Sequence, residues 1–138
     1  MTVRLRHFRL IEFDSPDEPG SGRRMDPAFL RLLDEARDRV GPPRAHHTGP
    51  WIITSGYRTP AHNAAVGGVP NSAHTRGLAA DISIEGWPEG DVVALIAALS
   101  AVGLRRIGRA RTFVHVDADP TKPTPAYWDY LNGPDHVA

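Results

Sequence analysis

The chain's 138 residues suffice for one domain with a modest core. Sixteen basic residues balance sixteen acidic ones, so the formal net charge is zero and no bulk attraction to nucleic acid is expected. The absence of cysteine excludes disulfides and thiolate metal sites, while 41% hydrophobic and 23% charged residues are an ordinary soluble composition. The first six residues lead into no apolar run, so synthesis in the cytoplasm without an export signal is expected. Residues 7–13 alternate weakly and predict a short edge strand, and the Pro/Gly/Ser/Asp-rich residues 14–24 predict a surface loop. Asp26 before Pro27 reads as a helix cap, and Phe29, Leu30, Leu33, Ala36 and Val40 recur at helical spacing until Gly41-Pro42-Pro43 stops the run. Residues 51–55 predict a buried strand. Thr59-Pro60 opens a short helix that Gly67-Gly68 closes. Residues 78–84 predict a second strand, and residues 91–102 an apolar helix far too short to span a bilayer, so no membrane insertion is expected. Residues 104–108 and 112–117 predict an antiparallel pair. Arg105, Arg106, Arg109 and Arg111 read as its solvated edge, with a local basic patch as the other reading. Residues 127–131 predict a short aromatic helix. With no repeat and no low-complexity tract, the expectation is one α+β domain over 1–138. A small antiparallel sheet would pack against helices, with a core over about 8–130 and a short flexible tail at 132–138.

The period of two along the strands locates a candidate site. Ala80, Ile82 and Ile84 share one face of their strand, which leaves Asp81 on the other between Ala79 and Ser83. Val114 and Val116 likewise share a face, opposite Phe113, His115 and Asp117. His74 precedes Gly77, where a turn can fold it back over Asp81. Two imidazoles and a carboxylate are a zinc donor set, and three protein ligands leave a fourth tetrahedral position open, as in catalytic rather than structural sites. His7, His46, His47, His62 and His136 have no comparable context.

These motifs resemble a known family. Ser72-x-His74-x-x-Gly77-x-Ala79-x-Asp81 joined to His115-x-Asp117 is similar to the zinc D-Ala-D-Ala carboxypeptidases of peptidase family M15. The run Ser55-Gly56-Tyr57-Arg58-Thr59-Pro60-Ala61-His62-Asn63 and the run Gly67-Gly68-Val69-Pro70-Asn71-Ser72 look like that family too. The branch it most resembles holds small bacterial and phage peptidoglycan peptidases. The resemblance implies one Zn2+ held by His74, Asp81 and His115, with the metal site on the open sheet face. It implies a catalytic, substrate-holding Arg58, with Ser72 and Tyr57 beside the substrate. A guanidinium suits that work because its fixed planar charge can hold a carboxylate or a developing oxyanion; a strand-end salt bridge is the other reading of Arg58.

One position departs from the pattern. Better-known members carry an acidic general base three residues before the last histidine ligand, where this chain has Thr112. Asp117 is the nearest substitute, either as proton acceptor or as a partner for the far nitrogen of a histidine ligand; His62 is a more distant candidate. The resemblance implies hydrolysis of a peptide bond in peptidoglycan stem peptides, by a D,D-carboxypeptidase or an endopeptidase. It also implies action at the cell wall, in the manner of a phage or prophage lysin, by a monomer. Two rivals stand beside it: a non-catalytic zinc-stabilised wall-binding or phage structural module, which Thr112 favours, and an iron oxygenase using His115, Asp117 and His136.

Overall fold

The Oδ2 of Asp26 accepts the Phe29 N–H at 2.9 Å, and helix α1, Pro27–Val40, starts where the cap and proline place it. The computed structural model describes residues 3–40 and 51–131. The stop at 41–43, His46, His47, the tail 132–138 and His136 therefore lie outside the described residues. Phe29, Leu30, Leu33 and Ala36 line the buried face of α1. After strand β1, Ile53–Ser55, the Thr59 hydroxyl caps helix α2, Pro60–Ala65, by accepting the His62 N–H at 3.0 Å. Strand β2, Ala79–Ser83, is followed by helix α3, Glu89–Ala101, which packs on α1. Strands β3, Arg106–Arg109, β4, Phe113–Asp117, and β5, Ala126–Asp129, complete the elements of the described residues.

The five strands lie in the order β1-β2-β4-β3-β5, antiparallel throughout except for the parallel β3–β5 pair. Ala80, Ile82, Ile107, Val114 and Val116 join Leu30, Leu33, Leu95 and Leu99 in one buried cluster. The sheet thus gives one face to the helices and leaves the other for Asp81 and His115. None of the helices among the described residues is long and apolar enough to cross a membrane.

Four stretches differ from expectation. Strand β1 is a partly exposed edge strand and not a buried one, with Ile52 exposed. Residues 14–24 hold a 3-10 turn at Ser21–Arg24, with Ser15 and Ser21 buried. Two more stretches change their element. Residues 7–13 form no strand; Leu10–Phe13 is a 3-10 turn, closed by Glu12 N–H to Arg9 O at 3.0 Å and by Arg9 N–H to the Glu12 carboxylate at 2.6 Å. Its weak alternation reflects a turn that buries Phe13 and exposes Ile11, with the local carboxylate satisfying a donor that a strand would have given to a neighbour. Residues 127–131 form no helix either. Trp128 pairs with Gly108 of β3, and a Cβ at Gly108 would stand 2.4 Å from the indole Nε1. The missing side chain lets the indole lie across β3, and aromatic residues favour the strand once that shelf exists.

Candidate metal centre

Strand register sets two of the donors side by side: Asp81 faces His115 across β2 and β4, and Ala79 faces Asp117. His74 arrives from the 3-10 turn Ala73–Arg76, whose start is capped by Ser72 Oγ accepting the His74 N–H at 3.2 Å. Gly77 ends that turn at φ 69°, and any Cβ there would meet Arg24 O at 2.4 Å, so the fold-back requires glycine. His74 Nε2 lies 3.4 Å from Asp81 Oδ1, and His115 Nδ1 lies 2.9 Å from the same oxygen. One donor atom from each of the three residues falls within 4.8 Å of the others, and all three side chains are buried.

The outer contacts decide which ring nitrogen each histidine offers. His74 Nδ1 donates to Gly56 O at 2.7 Å, which leaves the Nε2 lone pair facing Asp81. That Nε2 is fully buried and has no hydrogen-bond partner. An orphaned buried nitrogen is costly unless something electrophilic meets it. His115 is held the other way round: Nε2 donates to Asp117 Oδ2 at 2.7 Å, turning Nδ1 inward. Such outer partners fix tautomer and orientation at metal sites. Two inward nitrogens and one carboxylate oxygen, all buried, fit zinc, with His74 Nε2 unpartnered and His115 Nδ1 hydrogen-bonded to Asp81 Oδ1 at 2.9 Å.

The electrostatics agree. Burial alone would push the Asp81 carboxyl up, but the charge of His74 and the hydrogen bond from His115 outweigh it and hold the group well below the usual carboxylate range. Burial likewise pushes His115 down, yet its hydrogen bonds to Asp117 and Asp81 win and raise it to about 9. His74 lies below the usual imidazole value, chiefly through burial. The centre is thus built to hold positive charge between His115 and Asp81.

Around it, Arg58 is buried, with Nε on Ser55 Oγ at 3.0 Å, Nη1 on Asn63 Oδ1 at 3.1 Å and Nη2 3.5 Å from Asp81 Oδ2. The ion pair and a place beside the metal donors are therefore both realised. Ser72 serves as the cap and also lines a cavity of about 170 Å³ that opens against His115 and Asp117. Tyr57 sits elsewhere: its side chain belongs to the apolar cluster, and the Arg24 guanidinium lies 5.6 Å from its ring centroid. Asp117 accepts from His115, from Arg106 Nε at 2.8 Å and from the Asp119 N–H at 3.0 Å. Burial raises its carboxyl, but the His115 hydrogen bond and charge bring it below the usual value. Thr112 lies exposed in the turn between β3 and β4. The grouping of His115 and Asp117 with His136 has its third member outside the described residues, and the structure closes His115 with His74 and Asp81 instead.

Arg106, Lys122, Trp128 and Tyr130 also line the cavity and were missed by reading motifs alone. Arg106 is no solvated edge: it is 9% exposed, and its register places it opposite Asp117. Alternation along β3, with Ile107 directed to the core, would have put Arg106 and Gly108 on the metal face.

The sequence pattern of the peptidase M15 family matches residues 17–117, which include all three donors and Asp117. The chain belongs to the peptidase M15 family. Neither the curated proteins nor the solved structures contain a match to it. Membership makes the protein a metallopeptidase of a zinc-dependent family, acting on a peptide substrate, and His74, Asp81 and His115 form a group able to bind the metal.

Proposed function

We propose that this M15 protein cleaves peptide bonds of bacterial peptidoglycan stem peptides, at bonds involving D-amino acids, as a D,D-carboxypeptidase or endopeptidase acting at the cell wall in the manner of a lysin. The observation that carries the reading is the inward aim of His74 Nε2 and His115 Nδ1 at Asp81, enforced from outside by Gly56 O and Asp117, next to an open cavity. When bound, zinc supplies a Lewis acid for the scissile carbonyl and lowers the pKa of a coordinated water to about 7. Arg58, whose Nη2 sits beside Asp81 Oδ2, is placed to hold the developing oxyanion with its planar guanidinium. Ser72 and Asn63 steady that arrangement, one by capping the His74 turn and the other by accepting from Arg58. Asp117 has both oxygens engaged, which supports a role in orienting His115 over one in accepting protons.

The test is to incubate purified muropeptides with the protein, with the chelated protein, and with the chelated protein resupplied with zinc. Zinc-restorable release of shorter peptides, absent in His74→Ala, is the expected result. Muropeptides left intact in every arm would remove the reading. Thr112 in place of the usual acidic residue favours a second one, a zinc-stabilised wall-binding module. That module would sediment with cell-wall sacculi while releasing nothing.

A further inference from the structure

We propose that the cavity against His115 is a carboxylate subsite, in which Arg106 and Lys122 hold a carboxylate carried by the residue on the leaving side of the cleaved bond. The proposal rests on the peptidase reading for the bond but on separate residues for the ligand. Arg106 is more than nine-tenths buried and lines the cavity. Its Nε donates to Asp117 and its Nη1 to Pro123 O at 2.5 Å, while its guanidinium carbon stands 5.2 Å over the Trp128 ring. A guanidinium has five N–H donors. Two are used, so three, including both on Nη2, have no protein acceptor among the described residues. With Nε held by Asp117, the edge formed by the two terminal nitrogens is the one left for a ligand, and such a planar edge suits a carboxylate.

Lys122 adds a second cation. Its Nζ lies 3.3 Å from Asp119 Oδ2, but Asp119 is already bound by the Arg76 fork and by the N–H and hydroxyl of Thr121. Asp117 is the one carboxylate that lines the cavity against Arg106 and Lys122, which leaves that wall with an excess positive charge. The third wall is aromatic and stiff: Trp128 Nε1 donates to Tyr130 Oη at 2.7 Å. Size then narrows the occupant. A cavity of about 170 Å³ is well below the ~300 Å³ at which pockets for larger ligands begin, so it suits a single small residue. Lys122, Trp128 and Tyr130 lie beyond residue 117, where the family match ends, so this wall belongs to the chain's own C-terminal segment. The carboxylate has two possible sources, the α-carboxylate of a peptide terminus or a side-chain carboxylate.

Three peptides separate them: N-acetyl-D-alanyl-D-alanine, its C-terminal amide, and N-acetyl-D-alanyl-D-glutamate bearing an α-amide. Each is offered to the zinc-loaded protein, with KM and kcat read from amine release and binding read in parallel by calorimetry. The free acid is expected to show a KM about tenfold to a hundredfold below that of its amide, the worth of charge-assisted hydrogen bonds. Lys122→Met should erase that difference and Lys122→Arg should keep it, since residue 122 is half-exposed and neither change threatens the core. Recovery of tight binding by the glutamate amide alone would assign the side-chain source. Cleavage of all three peptides with one KM, in the parent and in Lys122→Met, overturns the subsite and leaves the peptidase standing. If nothing is cleaved but the calorimeter still shows carboxylate-dependent binding that Lys122→Met abolishes, the subsite stands and the peptidase reading falls. Binding indifferent to the carboxylate overturns the subsite whatever the turnover.

Discussion

His74 and His115 present different ring nitrogens because their outer partners lie on opposite sides of the rings. Gly56 O takes the Nδ1 proton of His74, and Asp117 takes the Nε2 proton of His115. Asp117→Asn should therefore act first on the metal. An amide oriented to donate toward His115 would favour the wrong tautomer, and partners of this kind are worth about tenfold to a hundredfold in metal affinity. Competition against a chromophoric chelator measures the loss, and kcat at saturating zinc should then stay within a few-fold of the parent. A collapse of kcat with unchanged affinity would instead make Asp117 the proton acceptor. At this scale the donors themselves were readable in the sequence. A period of two put Asp81 and His115 on the face opposite Ile82 and Val114, and Gly77 announced the turn that brings His74 over. For His115, a hold on its far nitrogen was already one of two roles readable for Asp117, but the choice of nitrogen at His74 was not readable, because it depends on Gly56 O, which only the fold brings near.

Among the elements, α1 follows directly from Asp26, Pro27 and its apolar spacing, whereas β5 does not follow from its own residues. Four or five aromatic-rich positions suit a helix or a strand equally well, and what decides is a glycine 20 positions earlier on β3. Gly108→Ala tests that dependence. Its Cβ would stand 2.4 Å from Trp128 Nε1 and 2.5 Å from Cε2, so the whole indole must move, disturbing its contact with Arg106 and its bond to Tyr130. We expect a loss of about 1–3 kcal/mol in urea unfolding, with weaker peptide binding. The segment before β5 is anchored differently, through Asp119. Burial pushes that carboxyl up, but hydrogen bonds from Arg76 and Thr121 outweigh it and hold the group well below the usual carboxylate range. A depressed folded value means the stabilisation is present above the unfolded pKa of about 3.9 and disappears as pH falls through the folded one. Asp119→Asn should accordingly cost about 1–3 kcal/mol at pH 7 in the chelated protein, and the gap to the parent should narrow steadily once the pH drops below about 3.9. A gap independent of pH would mean that the carboxylate charge contributes nothing.

For the whole molecule, the division of the sheet into an apolar face and a metal face separates folding from metal binding. Ile82, Val114 and Val116 are fully buried in a cluster with α1 and α3, while the metal donors project from the other side of the same strands. Burial of that cluster needs no ion, unlike in small domains whose fold is the metal site. The chelated protein should keep its far-ultraviolet circular dichroism and a cooperative thermal transition. Zinc adds to this by mass action, because it binds the folded arrangement of three donors that are far apart in the unfolded chain. At a free concentration a hundred times the dissociation constant, the gain is about 2.7 kcal/mol. For a chain of this length that raises Tm by roughly 10 °C, and the rise should grow with the logarithm of free zinc. Asp81→Asn removes the only charged donor from the set, so its transition should stop responding to zinc while remaining cooperative. A chelated protein that melts without cooperativity would show instead that the two faces fold as one unit around the ion.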